Sequence, residues 1–135
     1  MEKLDEPDEL VSKELVDRVL KIFYRVYNDL GYGFLEKVYQ KALYFALLDA
    51  GIKCEYEPPI NVYHNNRIVG EYRADLLVED CLILETKANS ELSEANEKQL
   101  INYLRATTVE VGYLLNFGKK PEFRRKVFSN ARKGH

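Results

Sequence analysis

Asp75 and the triplet Glu85-Thr86-Lys87 are the residues of this chain best suited to chemistry. They lie in Arg73-Ala74-Asp75-Leu76-Leu77-Val78-Glu79-Asp80-Cys81-Leu82-Ile83-Leu84-Glu85-Thr86-Lys87, two runs of Leu, Ile and Val that read as buried strands. A charge taken into such a core costs several kcal/mol unless it is paired or binds a metal. Two carboxylates and an amine gathered by a hairpin could hold a divalent cation and orient a water beside it. That set suits phosphodiester hydrolysis.

Asp75 and Glu85 are the expected metal ligands, helped by the backbone carbonyl of Thr86. Hard oxygen donors favour Mg²⁺ or Mn²⁺. Lys87 leaves the strand on the same side as Glu85 and could orient the attacking water or stabilise charge on the phosphate. The competing explanation is a cross-strand salt bridge from Lys87 to Asp75 or Glu85. Side-chain alternation makes the register decisive. A two-residue turn at Glu79-Asp80 pairs Asp75 with Leu84 and sends Glu85 to the opposite face, whereas a three-residue loop or a bulge sets Asp75 opposite Glu85. The hairpin is therefore expected to be odd-looped or bulged.

Other routes close quickly. His64 falls at a turn and His135 is the last residue, so a histidine-based triad lacks a base. There is no glycine-rich phosphate loop. Glu36, in the first turn of a helix, is a candidate third carboxylate for a metal or its water, although the helix dipole alone favours an acid there. Gln99 could contact a metal water or a phosphate, and an ordinary surface glutamine fits equally. Arg73 could pair with Asp75 or Glu71, or bind phosphate.

These residues need a scaffold, and the pattern supplies one. Apolar residues at Val11, Leu15, Val16, Val19, Ile22, Phe23, Val26, Tyr27 and Leu30 predict a helix over 8–30, started by Pro7 and stopped by Gly31. A second helix is predicted over 33–50, with Gly51 after its end. Strand-like pieces follow at 52–56, 60–63, 68–78 and 81–87, with a turn at His64-Asn65-Asn66. A third helix, capped by Ser90 or Ser93, reaches about residue 106. A strand at 109–115 comes next, and residues 122–129 suggest a short edge strand. The expected order is α-α-β-β-β-α-β, an α/β (α+β) mixed sheet flanked by helices, without repeats.

At 135 residues the chain is expected to be one domain, with a core over about 9–118 and a basic segment over 119–135. Its 46% apolar and 31% charged residues describe an ordinary globular protein. No apolar run spans a bilayer, the acidic start does not resemble a secretory signal, and Cys54 and Cys81 are too few for a disulfide framework. A cytoplasmic protein without membrane contact is expected. The net charge of −2 argues against nonspecific coating of nucleic acid. The charge is uneven, however. Lys119, Lys120, Arg124 and Arg125 open a basic end that could meet phosphates, as could Arg73, or simply aid solubility.

Gly33-x-x-Glu36-x-x-Tyr39, the Arg73–Val78 run, Glu85-Thr86-Lys87, Gln99-Leu100-Ile101-Asn102-Tyr103-Leu104 and Gly112-Tyr113-Leu114-Leu115-Asn116-Phe117-Gly118 together resemble the GxxExxY protein family of the PD-(D/E)XK nuclease superfamily. The resemblance runs in order from about residue 15 to 118. It implies a restriction-endonuclease-like core. Asp75, Glu85 and Lys87 match the catalytic motif, Glu36 the helical acid, and Gln99 the polar position on the helix after the catalytic strand. One departure stands out: related sequences often carry His three residues before that Gln, where this chain has Asn96. The resemblance implies a Mg²⁺- or Mn²⁺-dependent nuclease acting on nucleic acid, DNA in preference to RNA. The alternative is a catalytically silent nucleic-acid-binding or protein-interaction module on the same fold. Ten tyrosines and the need to cut two strands suggest a homodimer.

Overall fold

The structure, a computed structural model, describes residues 10–134. Helix α1, Lys13–Leu30, starts where the Ser12 hydroxyl accepts the Leu15 amide at 3.1 Å. Pro7, expected as the start signal, lies outside the described residues. Gly31 ends the helix at φ +71°, a conformation glycine adopts without cost. Helix α2, Glu36–Asp49, begins three residues later than predicted: Gly33 sits at φ +114° and Leu35 is extended. It buries Tyr39, Gln40, Leu43 and Leu47 along one side.

Seven strands follow, more than the pattern suggested. They are β1 (Cys54–Tyr56), β2 (Pro59–His64), β3 (Arg67–Arg73), β4 (Leu76–Val78), β5 (Leu82–Lys87), β6 (Val111–Phe117) and β7 (Pro121–Val127). Helix α3, Glu94–Arg105, separates β5 from β6. Its cap is Ser93, in a reciprocal box with Asn96.

The main sheet runs β1-β4-β5-β6-β7, and β2-β3 form a separate hairpin. Only β5 and β6 are parallel, as the α3 crossover requires; the other pairs are antiparallel. The predicted strand over 68–78 is therefore two strands in two sheets. Its break falls at Ala74-Asp75, where the Ala74 amide turns to the Pro58 carbonyl and the Asp75 carbonyl accepts from Glu57. The order is α-α-β-β-β-β-β-α-β-β. Asn65 and Asn66, both at positive φ, close the β2–β3 hairpin in a two-residue turn.

Residues of β5 and β6 are buried on both faces, as the centre of a sandwich demands. Helices α1 and α2 cover one face through Phe23, Leu43 and Leu47 against Leu82, Leu84 and Leu115. Helix α3 covers the other through Leu100 and Leu104, which join Ile60 of the hairpin over Ile83 and Leu114. No described helix is long and apolar enough to cross a membrane.

The sheet end carrying Lys87 is clasped from behind. The Asn89 amide donates to Asn116 Oδ1 and Asn116 Nδ2 donates to the Asn89 carbonyl, each at 3.0 Å. Gly118 lies so close that a Cβ there would stand 2.4 Å from the Asn89 carbonyl oxygen. Gly118→Ala must push the backbone of this clasp apart. A loss of roughly 1–3 kcal/mol, read as a lower melting temperature, is expected.

Candidate active site

Strands β4 and β5 are joined by the three-residue loop Glu79-Asp80-Cys81, in which Glu79 and Asp80 adopt φ of +51° and +58°. Val78 pairs with Leu82 and Leu76 with Leu84, and one step beyond this ladder the Asp75 amide meets the Glu85 carboxylate. This is the odd-length loop that the chemistry needs. A two-residue turn would have separated the carboxylates.

Asp75 and Glu85 hold each other's strands. Glu85 Oε2 accepts the Asp75 amide at 2.8 Å, and Asp75 Oδ2 accepts both the amide and the hydroxyl of Thr86 at 2.7 Å. Thr86, expected as a carbonyl donor to a metal, is seen to fix Asp75. Each carboxylate thus commits one oxygen to the scaffold. Asp75 Oδ1 and Glu85 Oε1 make no hydrogen bond to the described protein, and no buried side-chain oxygen lacks a partner, so both open to solvent. Lys87 is half-buried on the Glu85 side of β5. Among the described residues no ion pair ties it to either carboxylate, so the simple salt-bridge explanation does not describe this site.

Electrostatics set Glu85 apart. It is only 4% exposed, and burial pushes its carboxyl up to about 8. The Asp75 charge adds to the rise, the Asp75 amide and Lys87 oppose it, and Glu36 contributes a smaller push upward. Burial also raises the Tyr103 phenol to about 12, with the charges of Glu85 and Asp75 contributing next. Tyr103 therefore stands near the two acids as a protonated donor.

The remaining expected residues are spread more widely. Glu36 occupies the exposed first turn of α2, one turn before Gln40. Among the described residues no group of three His, Cys, Asp or Glu side chains is placed to hold a metal ion, while the charge of Glu36 is felt at Glu85. Glu36 itself stands at a solvated helix start, where the dipole favours an acid. Gln99 is exposed on α3, four residues before Tyr103. Arg73 donates to the Glu57 carbonyl at 2.9 Å. Arg124 is bound by Glu97 and Glu122, and Arg125 donates to the Tyr113 hydroxyl, so both serve the fold. Lys119 and Lys120 are exposed in the β6–β7 turn, at the sheet end where Lys87 lies beside Asn116.

Two residues of the site escaped the sequence reading. Gln40 is 2% exposed and its Nε2 reaches the Asp75 carbonyl at 3.2 Å and Glu57 Oε2 at 3.3 Å. Glu57 is also paired with Lys37, which holds its carboxyl below the usual range. Tyr103 is the other. A polar residue on the apolar stripe of Leu43 and Leu47 was the available signal for Gln40. Gln40→Leu removes the side-chain donor to the Asp75 carbonyl, which keeps the Glu57 amide, and a loss of about 0.5–1.5 kcal/mol in thermal stability is the expected result.

A model of the PD-(D/E)XK nuclease superfamily matches residues 13–126, which is most of the chain. The chain belongs to that superfamily, and its mixed sheet flanked by helices is the restriction-endonuclease-like fold. Among solved structures it is similar to SSO0001, with a TM-score of 0.54 at 18% identity, over 69% of this chain and 50% of that one. It is similar also to an alkaline exonuclease, LHK-Exo, from Laribacter hongkongensis, with a TM-score of 0.52 at 12% identity, over 90% of this chain and 73% of that one. The chain therefore spans half the length of SSO0001. At these identities the likeness concerns the fold. No curated protein matches the sequence.

Proposed function

We propose that the chain is a metal-dependent nuclease of the GxxExxY type that hydrolyses phosphodiester bonds of nucleic acid, DNA before RNA, with water as the nucleophile. One observation carries this reading: Asp75 and Glu85 are cross-strand neighbours, each fixed through one oxygen and open through the other. Hard, anionic, partly desolvated oxygens suit Mg²⁺ or Mn²⁺. Oδ1 of Asp75 and Oε1 of Glu85 are the atoms that would hold it. When bound there, a divalent ion supplies positive charge to the scissile phosphate and lowers the pKa of a water.

The chain's own residues do the rest. Thr86 fixes the Asp75 carboxylate, and Gln40 anchors the backbone of that residue. Lys87 forms no ion pair among the described residues and can donate to a phosphate oxygen as negative charge builds on it. Tyr103 keeps its proton and offers a further donor. Free Cys54 and Cys81 agree with a cytoplasmic setting, and a homodimer is the expected assembly.

The test is cleavage of end-labelled single- and double-stranded DNA and RNA with Mg²⁺, Mn²⁺ or EDTA. Cutting that requires the metal and disappears in Asp75→Asn supports the reading; cutting unchanged by EDTA and by that variant contradicts it. A binding module without turnover is favoured by one observation: among the described residues no three metal-ligating side chains form a cluster. Absence of Mn²⁺ binding would select that alternative.

A further inference from the structure

A hollow of about 1040 Å³ runs along α3 between that helix, the β2–β3 hairpin and the C-terminal residues. It is at the upper end of the roughly 300–1,000 Å³ of small-molecule pockets. Its lining has a one-sided chemistry. Tyr63, Tyr72 and Tyr103 contribute rings, and Lys98, Arg105, Arg132 and Lys133 contribute cations. Among the described residues not one Asp or Glu lines it, in a chain with 22 acids against 20 basic residues.

The rings are presented and held. Tyr72 is 50% exposed and leans on Tyr103, with centroids 6.0 Å apart and ring planes tilted by 48°. Tyr63, 61% exposed, stands beside a bulge at Val62/Tyr63 that interrupts the hairpin's register. Lys98 forms no ion pair among the described residues. The guanidinium carbon of Arg132 stands 4.4 Å from the centre of the Phe128 ring. Gln99 and Tyr103 also line the hollow, and Tyr103 is near the carboxylates of Asp75 and Glu85.

We propose that this groove seats a single-stranded segment of nucleic acid, its unpaired bases stacking on Tyr72 and Tyr63 and its phosphates facing Lys98 and Arg132. Exposed rings beside cations fit unpaired bases, because a duplex keeps its base faces hidden in its own stack. Charge complementarity selects a polyanion rather than an apolar helix or peptide. The direction of the strand toward Asp75 and Glu85 rests on the nuclease reading of that site; the stacking groove does not.

The experiment measures binding of the full chain, in EDTA, to a fluorescein-labelled oligo(dT) about 12 nucleotides long and to a duplex of equal length, by fluorescence anisotropy. The single strand is expected to bind at least about tenfold tighter. Tyr72→Ala and Tyr63→Ala should each weaken it about tenfold, and Tyr72→Phe should bind like the parent. Lys98→Ala with Arg132→Ala should lower the salt slope by roughly 1.4, about 0.7 for each lost phosphate contact. Circular dichroism confirms folding, and Tyr63, the more exposed ring, serves if Tyr72→Ala does not fold. Equal or tighter duplex binding, no oligonucleotide binding, or binding indifferent to both tyrosines overturns the groove. If that occurs while Asp75→Asn still abolishes metal-dependent cleavage, only the groove falls. If the groove binds as expected and no metal elicits cleavage, only the nuclease reading falls.

Discussion

Glu85→Gln is expected to lower metal-dependent cleavage on the order of 10²–10³-fold or more and, in the same protein, to raise stability at alkaline pH. Both effects come from one buried oxygen pair. The amide can still accept the Asp75 amide proton now taken by Oε2, so the strand junction survives. What it loses is the negative charge. In the metal-free chain the Glu85 carboxyl titrates at about 8 against an ordinary 4.5, so between those values the folded chain binds more protons than the unfolded one. Stability from the buried neutral acid is full below 4.5 and drains as pH rises toward 8. At about 1.4 kcal/mol per pH unit, the loss reaches several kcal/mol. Glutamine does not titrate and escapes it.

Melting curves in EDTA at a series of pH values provide the check. The two proteins should match near pH 4 to 5, and the variant should melt progressively higher as pH rises toward 8 to 9. Asp75, Lys87, Glu36 and Tyr103 are the titratable neighbours, and all remain in both proteins. A pH-independent offset would mean that Glu85 is not desolvated as described.

Lys87→Ala is the second large effect. Its ammonium makes no ion pair with Asp75 or Glu85, so its removal should leave the metal site assembled. The turnover rate should fall by about 10²–10³-fold, the scale of losing one preorganised donor to a transition-state oxygen. KM and Mn²⁺ affinity should change little, because the interaction strengthens as charge develops. Were Lys87 only a counter-ion for Glu85, the outcome would be different. Its loss would weaken metal binding and leave the rate of the loaded enzyme near the parent.

Much of this site was legible because its constraints are local. The spacing of Asp75 and Glu85, combined with side-chain alternation, required an odd loop, and Glu79-Asp80-Cys81 is one. Ser93 and the Asn65-Asn66 turn were legible for the same reason: each satisfies its own backbone within a few residues. Long-range choices were hidden. Nothing in the alternation of Ile68 to Val78 marks the point at which the chain leaves one sheet for another, since the break depends on partners at Pro58 and Glu57. Only tertiary geometry could show that Glu36, exposed at its helix start, lies near enough for its charge to reach Glu85. Arg124 looked available for phosphate until Glu97, distant in sequence, came to meet it. Gln40 is the converse case, a polar residue whose burial makes sense only against the Asp75 carbonyl.

Calorimetric titration of Mn²⁺ into the full chain tests the shared cation most directly. The account predicts a site that is lost in Asp75→Ala and in Glu85→Gln, retained in Lys87→Ala, and tighter as pH climbs toward 8, because Glu85 must release its proton to bind. Mn²⁺ binding that survives both acidic substitutions, or heat indistinguishable from dilution at pH 8 and above, would contradict it.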